Sequence, residues 1–240
     1  MKHLIAFSLI AAAAGSAQAI TLFNNGAAVS GSPALSVIRT GGTLFGIGAQ
    51  GSIPNSVADN FSVGGFGWTV QDLSFFSYQT GAANTFTFTN VAWSVISGDV
   101  NTGSVVASGT TAVTNGGLQG YRVTPTTLTN TDRAIFRLDA NVTDFNLNAG
   151  SYWLRWTMNG TLASGPWQPP LASGVTGNAQ QALGAGAFAP AIDAGDGLGL
   201  EVPFIINGTI NPIPEPSTYA LMLAGGLAVV GLARRRRDAR

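Results

Sequence analysis

"DNFSVGGFGWTVQDLSFFSYQT", Asp59 to Thr80, is built of Phe, Trp, Tyr, Val and Thr punctuated by glycines. Aromatic and β-branched residues suit a pleated, half-buried surface, so the stretch predicts strands rather than helix. Trp68 and Val70 share one parity, Leu73 and Phe75 the other. Alternate strand residues point to opposite faces, so this parity change predicts a bulge or kink near Gln71. "NTFTFTNVAWSVISG", Asn84 to Gly98, repeats the pattern. Phe86 and Phe88 give way there to Val91, Trp93 and Val95, which predicts a second irregularity near Asn90.

The rest of the chain agrees with this reading. Further strands are expected at 105–107, 121–123, 134–138, 151–158 and 204–210, with turns at Gly150 and at the "TNGG" of Thr114–Gly117. Charged residues are 9% of the 240 and glycines number 32. Long surface helices need charged residues on their wet face, so this composition favours short strands joined by turns. No repeat of 20 to 50 residues stands out. The expected fold is all-β, a single jelly-roll-like β-sandwich over residues 20–210. The stretch from Ala163 to Gly199 is rich in Gly, Ala and Pro and poorly patterned, and is expected to be a long loop.

The two ends have a different character. Lys2, the apolar run Leu4–Ala14 and Ala17-Gln18-Ala19 have the order and lengths of a secretory signal, with cleavage expected after Ala19. The only histidine is His3, the only lysine is Lys2, and there is no cysteine. A chain shortened at Ala19 can therefore form no Ser-His-Asp triad, Cys-His pair or lysine Schiff base. Between Ile20 and Ile213 lie nine acids and five arginines, a net charge of −4, which speaks against nucleic acid as a partner.

The missing positive charge sits in "NPIPEPSTYALMLAGGLAVVGLARRRRDAR", Asn211 to Arg240. Residues 218–233 carry no charge and no proline. As a helix they would reach about 24 Å, somewhat short of a hydrocarbon core of about 30 Å. Arginine snorkelling and an interfacial Tyr219 would make up the difference. Arg234, Arg235, Arg236 and Arg237 place residues 234–240 in the cytoplasm by the positive-inside rule, and the signal places the body on the opposite side. Pro212, Pro214 and Pro216 keep 211–217 extended, presenting Glu215 in a form that a processing enzyme can bind as a strand.

Pro214-Glu215-Pro216-Ser217, the apolar span and the arginine cluster together resemble the PEP-CTERM sorting signal of Gram-negative bacteria. The resemblance implies recognition by an exosortase, a membrane-embedded cysteine transpeptidase. It also implies anchoring in the inner membrane with a periplasmic body, then transfer to the cell surface or release, in bacteria that make biofilm and exopolysaccharide. The four motif residues would be those of a substrate. "DNFSV", "GWTVQDLSFFSYQTG", "YWLRW", "GPWQPP" and "TGNAQQ" further resemble the β-sandwich ectodomain of other PEP-CTERM proteins, over roughly residues 58–207.

Few residues of the body suggest chemistry. In "SYWLRWTM", Tyr152, Leu154, Trp156 and Met158 share one face and Trp153 and Arg155 the other. If the first face is core, Trp153 is free to contact a sugar ring, as is Trp167 in "GPWQPP"; packing of both against neighbouring strands is the competing reading. "GIGAQG" at Gly46, Gly48 and Gly51 matches a dinucleotide fingerprint in letters only and is expected to be a turn. "DAGDGLGLE" offers Asp193, Asp196 and Glu201 as oxygen ligands for Ca²⁺, but Asp-Gly pairs equally form ordinary turns. No metal or cofactor is assigned. The expected function is that of a non-enzymatic surface or matrix protein. The alternatives are a carbohydrate-binding module and, more remotely, an Asp-dependent glycan hydrolase.

Overall fold

The computed structural model describes residues 18–211 and 223–228. Nearly all the regular structure is β. One six-stranded sheet runs in the order β1 (Ile20–Asn24), β14 (Phe204–Ile210), β5 (Trp68–Ser77), β9 (Ala134–Leu147), β8 (Thr114–Val123), β2 (Leu35–Val37). A second runs β13 (Ala189–Pro190), β12 (Gln180–Ala182), β4 (Ser56–Val63), β10 (Gly150–Gly160), β6 (Phe88–Ser97), β7 (Ser104–Ala112). A two-stranded ribbon pairs β11 (Trp167–Gln168) with β3 (Ile47–Gly48). Every strand pair is antiparallel except β2 with β8.

The opening stretch spans both sheets. Val57, Phe61 and Val63 of β4 point into the core from one side. After Gly64–Gly67 the chain enters β5, whose Trp68, Val70, Leu73 and Phe75 point into the same core from the other. Two parities reach one core because the register against β14 shifts, with Val70 opposite Gly208 and Asp72 opposite Asn207, which leaves Gln71 as the extra residue. The second irregularity occurs at Thr89, where Gly160 pairs with Phe88 directly after Asn159 pairs with Asn90. Phe88 and Val91 are thereby both buried.

Trp156 of β10 is the central plug. It is 1% exposed, and its ring lies 5.4 Å from Phe75 and 5.8 Å from Phe204 of the facing sheet, centroid to centroid. The face of Tyr152, Leu154, Trp156 and Met158 is the buried one, as the pattern predicts.

Three expectations are corrected. Thr114–Gly117 is not a turn but the bulged start of β8. Its glycines allow close passage: a Cβ on Gly116 would fall 2.5 Å from both Arg137 Nε and Asp139 Oδ2. Most of "GIGAQG" is likewise not a turn: Ile47–Gly48 is β3, and a turn begins only at Gly51. The stretch 163–199 is not one long loop. It contributes β11, β12 and β13, and β12 extends the second sheet through Gln180↔Ala58. It is pinned across the sheet's outer face where Phe188 N donates to Asn101 Oδ1 at 2.7 Å and Asn101 Nδ2 returns a bond to Phe188 O at 3.0 Å.

The sorting motif Pro214–Ser217, the arginines Arg234–Arg237, the linker 212–217 and nearly all of the signal lie outside the described residues. Of the span 218–233, residues 223–228 are helical with Leu223 and Leu227 exposed. Among the described residues no helix is long and apolar enough to cross a membrane.

Candidate functional site

Phe45, Gly46, Tyr78, Thr80, Arg133, Ser164 and Trp167 line a surface cleft of about 290 Å³. The chain folds this way because β11 bridges two elements. Trp167 pairs with Gly48 of β3, and it exchanges backbone bonds with Tyr78, N to O at 2.9 Å and O to N at 3.1 Å. Gly46 makes the close approach possible, since a Cβ there would lie 2.9 Å from Gln168 O and 3.0 Å from the Tyr78 hydroxyl. Gly165, at φ +99°, performs the left-handed bend that brings Trp167 in, a conformation glycine tolerates.

Each side chain is held in a different way. Trp167 Nε1 donates to Ser164 Oγ at 3.2 Å, and its half-buried ring packs beside Phe76, Tyr78 and Ile135. Arg133 lies with Cζ 3.9 Å from the Phe45 ring centroid, a cation–π stack. Phe45 is itself fixed by Arg122, which is 3% exposed and donates Nε to Phe45 O at 2.7 Å and Nη2 to Leu44 O at 2.6 Å. Burial pulls the Arg122 guanidinium down to about 10. Tyr78 is 2% exposed with its hydroxyl at the cleft. Burial raises its pKa far above the ordinary phenol value, against the opposing pull of Arg122 and Arg133, so it remains a protonated donor.

Among the described residues the Arg133 guanidinium has no carboxylate partner; the ion pairs there are Arg39–Asp196 and Arg137–Asp139. The sequence marks Trp167 as a candidate sugar contact, and the structure places it in a cleft with Phe45, Tyr78 and Arg133, which the sequence does not mark. They lie far apart along the chain, and no local pattern joins them.

The other candidates fall elsewhere. Trp153 is half-buried on the outer face of β10, opposite Asn60 and Ile96. It is not brought into the Trp167 cleft. Arg155, two residues on, lines a second cleft of about 330 Å³ with Ser94, Thr157 and Phe188. Asp193 is buried and accepts from Thr43 N at 2.9 Å, Gly195 N at 2.9 Å and Leu44 N at 3.2 Å. Burial raises its pKa, but these amides outweigh that and hold it below the usual carboxylate range. Asp196 is paired with Arg39, which holds it low as well. Glu201 points away to Asn25 and Asn178. The three acids do not converge, and no group of three or more metal-ligating side chains occurs among the described residues.

Two carboxylate pairs were not expected. Asp72 and Asp139 line an outer-face cleft, where Asp139 is occupied by Arg137 and Ser74. Asp59, fully buried, lies beside Glu201, and burial first and Glu201 second push its pKa up to about 7.

Residues 212–237 match the family described as the PEP-CTERM protein-sorting motif. The chain therefore carries a PEP-CTERM sorting motif at its C-terminal end, a signal that implies export and membrane-anchored sorting by an exosortase. No curated protein matches the chain.

Proposed function

We propose that this is an exosortase-sorted protein of the bacterial surface or extracellular matrix, exported by its N-terminal signal and tethered before processing by a single span at 218–233. Its body, in this reading, is a single jelly-roll sandwich that acts by binding and not by catalysis. The observation that carries the proposal is the sorting motif at 212–237. Strand order supports the jelly roll. Going along the chain, β1, β5, β9 and β14 fall in one sheet and β4, β6, β7 and β10 in the other, in the spatial orders 1-14-5-9 and 4-10-6-7. These are the two interleaved Greek keys of that fold, widened at the edges by β2, β8, β12 and β13.

The absence of His, Lys and Cys beyond residue 3 supports a binding role, since it removes the commonest nucleophiles and general bases. The experiment is expression in a host with and without an exosortase. The protein should lose its C-terminal mass and leave the inner membrane only when the enzyme is present; identical mass and fractionation in both hosts would overturn the sorting proposal.

One observation favours a second, more specific reading of the body as a carbohydrate-binding module. Trp167, Phe45 and Tyr78 bring aromatic surface and hydroxyl donors into one cleft. Apolar surface with a few convergent polar groups is the usual composition of a small-ligand site.

A further inference from the structure

We propose that the Trp167 cleft selects an acidic sugar, with Arg133 taking the carboxylate of a uronic acid residue; this rests on the carbohydrate-binding reading above.

The Arg133 guanidinium is seated over the Phe45 ring, Cζ 3.9 Å from its centroid, and its N–H groups remain available as donors. The planar fork of an arginine matches the two oxygens of a carboxylate. No carboxylate of the described chain neutralises it. The Tyr78 hydroxyl supplies a second polar group. The residue is 2% exposed, and its hydroxyl has no hydrogen-bond partner among the described residues. That hydroxyl opens onto the cleft, where it is free to bond whatever occupies it. Burial keeps that hydroxyl protonated, so it donates to a ligand oxygen and does not repel the acid.

The remaining lining suits the rest of a sugar. Trp167 offers ring surface, and its own N–H is satisfied by Ser164, so it makes no competing polar demand. Thr80 and Ser164 place hydroxyls at the rim. About 290 Å³ is at the small end of ligand sites, the scale of a single sugar residue within a chain and not of a long bound segment. The body carries a net charge of −4, so attraction of a polyanion must come from a local feature, and an unpaired arginine on an aromatic platform is one.

The test is titration of the purified full-length chain in detergent with oligogalacturonate, its methyl ester and a neutral oligoglucoside, read by calorimetry. Oligogalacturonate should bind at least tenfold more tightly than either uncharged ligand, and more weakly as salt rises. Arg133→Gln should abolish that preference, so that oligogalacturonate binds no more tightly than the methyl ester or the neutral oligoglucoside. Arg133→Lys, which keeps the charge but loses the fork, should retain only part of it. The methyl ester removes the ligand's charge without altering the protein, so the test does not depend on any variant folding. Equal binding of acid and ester would overturn the carboxylate assignment and leave the carbohydrate reading standing. No binding of any of the three would overturn both.

Discussion

Asp59 and Glu201 share one hydrogen-bond donor, the side-chain amide of Asn25, at 3.1 and 2.9 Å. Asn25 follows β1, Asp59 lies on β4 and Glu201 precedes β14, so the cluster ties both ends of the body to the second sheet. Val202 N at 3.1 Å and Asn60 N at 2.8 Å complete the shell of Asp59. These donors favour the charged form, but burial and the neighbouring acid outweigh them and push Asp59 up to about 7.

This shift sets a direction for stability against pH. The unfolded chain releases the Asp59 proton near pH 4 and the folded chain near 7. Between those values the folded state holds more protons, so this contribution to stability is full below about pH 4 and is lost as pH rises to 7. A full proton of difference corresponds to a slope of about 1.4 kcal/mol per pH unit. Urea unfolding midpoints should fall from pH 4.5 to 7.5, and Glu201→Gln, which removes the neighbouring charge, should flatten the fall. A midpoint that rises across the window contradicts the assignment, as does an unchanged slope in the variant.

The two tryptophans of β10 should behave differently. Trp156→Ala empties the centre of the core between Phe75 and Phe204 and should cost about 3–5 kcal/mol. Trp153→Ala, on the half-buried outer face, should cost less than half as much. Comparable losses in denaturant melts would mean that the outer face is as tightly packed as the inner one.

The core was readable because strand parity and side-chain chemistry are local. Trp68 and Val70 against Leu73 and Phe75 revealed the bulge at Gln71 without any knowledge of the partner strand. The short strands were not readable for the opposite reason. Ile47–Gly48 and Trp167–Gln168 are too brief to show alternation, and each exists because the other is present. Gly116 and Gly117 signal a turn in sequence, but their use here is close passage over Arg137 and Asp139. The Phe45, Tyr78, Arg133 and Trp167 cleft is assembled from four separate segments, so only its tryptophan stands out in the sequence.

Asp193 is expected to be structural. Its oxygens already accept from three backbone amides and the Thr43 hydroxyl, and Asp196 is held by Arg39. Asp193→Ala should lower stability by about 2–4 kcal/mol through the buried donors it leaves without partners. EDTA and Ca²⁺ should leave the melting temperature of the wild type unchanged. A rise of several degrees with Ca²⁺ that is lost in Asp193→Ala would instead establish a metal site, because a ligand bound only to the folded state stabilises it.

The sorting segment separates recognition from anchoring. The apolar span 218–233 and Arg234–Arg237 contain what holds and orients a helix in a bilayer, and neither includes Pro214, Glu215 or Pro216. Replacing Glu215 and Pro216 together by Ala should leave insertion intact and block processing, trapping the protein in the membrane at its full mature length. Deleting Arg234–Arg237 should act at an earlier step, by weakening the signal that stops transfer and fixes orientation. Apparent mass and membrane fraction in cells with and without an exosortase distinguish the two defects. If the Glu215/Pro216 double variant is processed like the wild type, the prolines serve only as a spacer, and recognition must lie in the span or the arginines.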